Sequence, residues 1–283
     1  MTPRTSFFAL LFVVASSRHA WGQQGRAPAG GPALFGDAGA TPFAVTRDVA
    51  YKQVGGKSLT LDFYRPSRRG NSGNPVVLVL HGGPYPPDSE PKVKNDEFSR
   101  SLGRALASRG LGAAILSYRY YGGTMLGAAG DDVQDAIAYL REHAATFTID
   151  PNRVCLLAVS GGAHFFASAI REQPGYIRCL VGLSPAFGVA KGADSLQRVS
   201  PLDALTKVGT LKIPVFVSRA GADESGSIKE WSATFIEAAI RKNADVEVHN
   251  TPRARHAFEL ENSEDSRAIF QAVFAFLKRT LTP

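Results

Sequence analysis

A chain of 283 residues that is 44% hydrophobic and 20% charged can bury a full core as one large domain, without needing disulfide or metal staples. Its formal net charge of +7 is scattered, with no long basic run and no aromatic interleaving, which argues against a nucleic-acid surface.

In chain order, Arg4 precedes an apolar run from Phe7 to Ala15, and Ala20 and Gly22 offer small residues for cleavage. Residues 1–22 therefore read as a secretory signal peptide, and the mature chain is expected to be secreted or periplasmic. A membrane span needs roughly 20 apolar residues, so this run is too short to serve as a stable membrane anchor. Cleavage would remove Arg4 and Arg18 and no acid, lowering the charge from +7 to 7 − 2 = +5. Residues 23–44, rich in Gly, Ala and Pro without an apolar period, read as a disordered lead-in to a domain over 45–283.

Strands are expected from Asp48 to Val54 and from Leu59 to Tyr64, joined by Gly55-Gly56-Lys57-Ser58 as an antiparallel hairpin. From Pro75 onward the pattern alternates. A buried strand from Val76 to Leu80 precedes a helix capped by Asn95 or Asp96, with Phe98, Leu102, Ala105 and Leu106 on its apolar face and Gly110 as its stop. The next strand, Ala113 to Tyr118, precedes a helix from about Asp131, where Val133, Ala136, Ile137 and Leu140 recur at helical spacing. Further strands are expected at 153–159, 178–183, 215–218 and 246–249, and residues 186–211, without a clear period, read as a cap or crossover. Ser227-x-x-Glu230 suggests a capping box for a helix burying Ile228, Trp231, Phe235, Ala239 and Ile240, and a last helix carries Ile269, Val273, Phe276 and Leu277. This succession predicts the α/β class, with a mostly parallel twisted sheet of about eight strands and helices on both faces. Cys155 and Cys179 each precede a serine by five residues on neighbouring buried strands. They are expected as free thiols, because adjacent strands rarely offer bridging geometry.

Chemistry concentrates at Arg153 to His164. A continuous apolar run turns abruptly at Ser160, which is followed by Gly161 and Gly162 and preceded by the small Ala158. This is the small-x-Ser-x-Gly elbow, in which a strained strand-to-helix turn lifts a serine hydroxyl above the sheet edge. Serine needs a base, and the base needs an acid to hold its tautomer. Of six histidines, His19 leaves with the signal, His81, His143 and His249 are placed elsewhere, and His164 is too close to Ser160 to reach back. His256, in a loop after the last strand, remains, with Asp223 as the acid and Glu224 as its possible replacement. For the oxyanion, the N–H of Gly161 is one expected donor, and His81-Gly82-Gly83-Pro84 supplies the other, from Gly83 first and Gly82 second.

The spacing of His81-Gly82-Gly83, Ser117-Tyr-Arg-Tyr120, Asp132 with Ala136, Asp150-Pro151-Asn152-Arg153, Ser160-Gly-Gly-Ala-His164, Ala220-Gly-Ala-Asp223 and His256-Ala-Phe258 resembles the α/β-hydrolase superfamily over roughly 48–281. Within it the chain is most similar to small esterases related to hormone-sensitive lipase, to arylformamidase-like esterases and to dienelactone hydrolase. Ala158 departs from the usual first glycine of the elbow, and Pro84 from the third glycine of the lipase-type oxyanion motif. The resemblance implies a serine esterase that acts on a small-molecule ester through an acyl-enzyme, with no cofactor and no metal. His-Gly-Gly-Pro also resembles prolyl-oligopeptidase-type peptidases, which makes a peptidase the alternative; a non-catalytic binding protein of the same fold is the other. Arg219, Arg253 and Arg255 bracket the acid and the histidine and are expected to face water. Oligomeric state is not encoded in any of these features.

Overall fold

The computed structural model describes Phe35 and residues 42–68, 73–86, 93–122, 125–190 and 194–281. The predicted signal peptide and most of the lead-in lie outside the described residues. Eight strands form one sheet: β1 Phe43–Val54, β2 Lys57–Pro66, β3 Asn74–Leu80, β4 Gly112–Leu116, β5 Ile149–Val159, β6 Ile177–Leu183, β7 Val215–Ala220 and β8 Val246–Thr251. Their order is β1-β2-β4-β3-β5-β6-β7-β8. The hairpin β1–β2 and the β2–β4 pair are antiparallel, and every later pair is parallel, as expected of strands joined through helices.

Side chains of the central strands alternate between two cores, as the two-residue period of a strand requires. Val76, Leu78, Leu80, Leu156, Ala158, Val215 and Val217 face one way, toward helices α2 (Leu126–Glu142), α3 (Phe166–Glu172), α4 (Pro201–Lys207) and α5 (Gly226–Arg241). Val77, Val79, Leu157, Val159 and Phe216 face the other way, toward α1 (Glu97–Ala107) and α6 (Glu264–Leu281). Both faces are therefore covered, which explains why these strands are continuous apolar runs in sequence. Asp96 caps α1 as expected, its side chain accepting from the Ser99 N–H at 2.6 Å.

Several expectations are corrected. Cys155 and Cys179 form a disulfide: they are register partners on β5 and β6 with Cα atoms 4.8 Å apart, within the bridging range. Direct opposition in the ladder decided this, and composition could not show it. Strand β1 begins at Phe43, inside the stretch assigned to the lead-in, because its pairing with Pro66 of β2 extends the hairpin. Phe35 is buried against Phe98, Phe270 and Phe274, and Arg109 donates to its carbonyl at 2.8 Å. Helix α2 starts at Leu126, ahead of Asp131, taking Gly127 and Gly130 into its first turns. Gly127 lies against the Arg198 guanidinium, where a side chain would collide. The capping box at Ser227 and Glu230 does not form; Ser225 precedes α5, whose buried residues are Ser232, Phe235 and Ala239, while Ile240 is 61% exposed. Within 186–211 the chain forms a short 3-10 turn, Asp194–Val199, and then α4, capped by Ser200.

Candidate active site

Strand β5 ends at Val159, and the chain turns into a 3-10 segment, Ser160–Phe165. Ser160 has φ 50°, a left-handed conformation that costs a non-glycine residue about 1–3 kcal/mol and persists only where its surroundings impose it. The surroundings here are backbone. A Cβ on Gly162 would lie 2.6 Å from the carbonyl oxygens of both Leu80 and His81, at the end of β3. One on Gly161 would lie 2.7 Å from the Tyr120 hydroxyl oxygen and 3.0 Å from the Gly83 carbonyl oxygen. Glycine at both positions lets the turn close against β3, and Ala158 fits between Leu80 and Gly182 on the adjacent strands.

Two loops at the same sheet edge bring the other groups. After β7, Gly221 donates to the Thr251 carbonyl at 2.9 Å, and its missing side chain leaves room for Pro252, whose backbone would sit 2.6 Å from a Cβ there. Ala222 donates to Ala254 at 2.9 Å. The acid loop and the histidine loop are thus stitched together, backbone to backbone. Across this seam His256 Nδ1–H donates to Asp223 Oδ2 at 2.7 Å, and Ser160 Oγ–H donates to His256 Nε2 at 2.8 Å. The acceptor-only carboxylate places the imidazole proton on Nδ1 and leaves Nε2 free to accept. Asp223 is buried, and its Oδ1 accepts the Ser225 N–H at 2.8 Å, so both oxygens are held. Glu224 points away into an exposed pair with Arg255 at 3.1 Å.

The remaining histidines stand apart from this relay. His81 is buried, stacked on Tyr118, and donates from Nδ1 to Gly82 O at 2.6 Å. Burial pushes its pKa down to about 4, so it is neutral. Burial likewise pushes His164 down to about 4. His143 stacks on Tyr139, and His249 bonds Glu247 within β8. His19 lies outside the described residues. Of the residues expected to supply oxyanion donors, Gly83 and Gly161 lie close together, the Gly83 carbonyl oxygen standing 3.0 Å from where a Gly161 Cβ would be, and Gly82 directly precedes Gly83 on the same loop. Arg219 bonds Asn250 at 2.7 Å, and Arg253 is exposed.

Two polar groups around this relay are absent from the sequence reading of the site. The Tyr120 hydroxyl reaches Gly161 from the loop after β4. Glu259, fully buried, accepts from Ser184 Oγ at 2.8 Å and from Ser218 Oγ at 2.6 Å. In sequence Glu259 sits between Phe258 and Leu260, a charged residue in an apolar alternation that reads as solvent-facing.

Comparison with known proteins points to the same fold. The BD-FAE family matches residues 61–171, from β2 through the elbow into α3. Isoprenylcysteine alpha-carbonyl methylesterase of Arabidopsis thaliana is 26% identical over 227 residues, covering 66% of this chain and 51% of that protein. Fumonisin B1 esterase of Sphingopyxis macrogoltabida is 27% identical over 190 residues, covering 56% of this chain and 34% of that protein. The chain thus spans about half or less of the length of these curated relatives. Among solved structures, the propionate-bound thermophilic esterase of Thermogutta terrifontis superposes with a TM-score of 0.70 at 19% identity, over 85% of this chain and 96% of the other. The same esterase phosphorylated by paraoxon gives 0.70 at 19% identity, over 86% and 97%.

The chain has the α/β-hydrolase fold. The sheet order, with one antiparallel hairpin at the edge and parallel strands beyond it, is the framework expected of that fold. In this chain Ser160 follows β5, Asp223 follows β7 and His256 follows β8, so all three rise at the C-terminal ends of parallel strands. Ligand sites of open α/β sheets lie at that edge. Among the described residues no helix is long and apolar enough to cross a membrane.

Proposed function

We propose that this protein of α/β-hydrolase fold is an exported serine carboxylesterase that cleaves small or medium esters through an acyl-enzyme. The observation that carries the reading is the continuous relay Ser160 Oγ to His256 Nε2, and His256 Nδ1 to Asp223, at 2.8 and 2.7 Å. Such a relay makes an otherwise inert hydroxyl nucleophilic at neutral pH. Ser160 Oγ forms a bond to the ester carbonyl carbon as its proton passes to His256 Nε2. The oxyanion is held by the N–H groups of Gly161 and Gly83, with Gly82 as the reserve donor. The C–O bond to the alcohol then breaks, and the alcohol takes the proton from His256. Water repeats the sequence on the acyl-enzyme, His256 removing its proton, and releases the acid and Ser160. Asp223 stays ionised and supports the imidazolium.

Similarity to two named esterases and to an esterase fold supports ester substrates. Export is supported by the leader pattern of residues 1–22 and by the Cys155–Cys179 disulfide, since such bonds persist in oxidising compartments. The test is Ser160→Ala assayed with p-nitrophenyl acetate beside peptide amides, together with labelling by a fluorophosphonate probe. Wild type should hydrolyse the ester and take the label, and Ser160→Ala should do neither while keeping the wild-type circular dichroism spectrum. Undiminished ester turnover in Ser160→Ala would refute the reading. Preferential cleavage of the amides would replace the esterase with a prolyl-oligopeptidase-like peptidase, and a chain that neither turns over nor labels would be a binding protein.

A further inference from the structure

The Glu259 carboxyl has no exposed surface and no cationic side chain paired with it among the described residues. Burying a carboxyl in this way is unfavourable unless hydrogen bonds and a neighbouring charge compensate it. Beside its own backbone N–H, it is bonded by two serine hydroxyls that lead toward the site. Ser218 Oγ, at the end of β7, donates to Oε1 at 2.6 Å, and Ser184 Oγ, just beyond β6, donates to Oε2 at 2.8 Å. Having given its proton to Glu259, the Ser184 oxygen accepts the backbone N–H of Ala257 at 3.2 Å, and Ala257 directly follows His256.

The backbone on this path is strained. Ser184 has φ 42° and Ala257 has φ 58°, left-handed values for side-chain-bearing residues, and such positions persist only where neighbours over-determine them. Ser184 N–H donates to the Ser218 carbonyl at 3.0 Å, and Ala186 N–H donates to the Ser160 carbonyl at 3.0 Å. One short hydrogen-bonded path therefore runs from the backbone of the nucleophile, through the 184–186 turn and the Ser184 hydroxyl, to the residue after the histidine, and Glu259 holds that hydroxyl in place. The Phe258 carbonyl, one residue further, is fastened to α6 by Ser266 Oγ at 2.7 Å.

Resting on the serine-hydrolase reading above, we propose that Glu259 is a positioning residue for His256. It gathers the ends of β6 and β7 and the imidazole-bearing turn into one unit, and that unit sets where His256 stands between Asp223 and Ser160. A carboxylate suits this place because each of its oxygens accepts, so it can take both serine hydroxyls at once and leave the Ser184 oxygen free for Ala257. An amide offers one acceptor oxygen and an NH2 group, so one of the two serine hydroxyls must turn round to accept, and at Ser184 that rearranges the oxygen which takes the Ala257 N–H. Displacing a catalytic group by about 1 Å can cost about 100-fold in rate, so the unit has leverage well beyond its own bonds.

The test compares full-length wild type with Glu259→Gln, Ser184→Ala and Ser218→Ala. It measures kcat and KM for p-nitrophenyl acetate, normalised to the folded fraction, and the proton resonance of the hydrogen bond between His256 Nδ1 and Asp223. Glu259→Gln and Ser184→Ala should lower kcat by roughly 10- to 100-fold with KM changed by less than about twofold, and should weaken the imidazole resonance. Ser218→Ala, which loosens the anchor to β7 but leaves the link to Ala257, should lose less in kcat. Wild-type kcat and an intact resonance in folded Glu259→Gln and Ser184→Ala, with only a lower melting temperature, would overturn the proposal. If Glu259→Gln does not fold, Ser184→Ala decides the matter by the same readouts. An inactive, unlabelled wild type would sink the serine-hydrolase reading instead, and the imidazole resonance in the variants would still decide whether Glu259 positions His256.

Discussion

Replacing His164 with glutamine should make this protein less sensitive to acid. The imidazole is buried, its Nδ1 has no partner, and its pKa is pushed by burial from 6.5 down to about 4. In the unfolded chain the same group takes up a proton at its ordinary pKa, near 6.5. Between these values the unfolded state binds more protons than the folded one, so stability is lost as the pH falls from about 6.5 to about 4 and then levels off. At about 1.4 kcal/mol per pKa unit, the loss from this one group amounts to roughly 2 kcal/mol between pH 8 and pH 5. Glu259, pushed up by burial, has the opposite sign, favouring the folded state in acid, but it is present in both proteins and drops out of the comparison. The assay is guanidinium chloride unfolding at pH 8 and pH 5 for wild type and His164→Gln. The variant should lose about 2 kcal/mol less than wild type over that interval. Identical losses would mean that the imidazole is protonated in the folded state, and the burial argument would fail. His81→Gln, at a group held at about 4 for the same reason, should give a similar relief.

Asp223→Asn should keep the fold but lower kcat for p-nitrophenyl acetate by about 10⁴-fold, because an amide no longer fixes the Nδ1–H tautomer; a loss under about tenfold would contradict the assigned role. Gly162→Ala places a methyl 2.6 Å from two carbonyl oxygens of β3, which must open by about 0.8 Å to reach ordinary contact. It should cost about 1–3 kcal/mol in urea unfolding and slow ester turnover, and wild-type stability would show that the turn does not press on β3. Lys94 is buried with Asp62 and also reaches Asp48 at 2.6 Å, so Lys94→Met leaves the Asp62 carboxylate with the half-exposed Arg47 as its cation and the Asp48 backbone N–H as a further donor. Unfolding should become easier by about 3 kcal/mol, and a change within about 0.5 kcal/mol would show that Arg47 and the Asp48 N–H together suffice.

The sequence was enough to determine the alternation of strands and helices, since buried parallel strands must be continuous apolar runs and helices must repeat every three to four residues. It also singled out Ser160, Asp223 and His256, because the glycine-flanked elbow and the loops after successive strands are local patterns. It missed what depends on contacts between distant segments. Cys155 and Cys179 bond because β5 and β6 align in one particular register, which no spacing reveals. Phe35 is buried because α1 and α6 converge around it. Glu259 reads as solvent-facing until the ends of β6 and β7 supply two serine hydroxyls and enclose it. Short-range sterics and periodicity are written in neighbouring residues. Burial of a polar group and pairing across a sheet exist only once the chain has closed on itself, and there the tertiary structure decided.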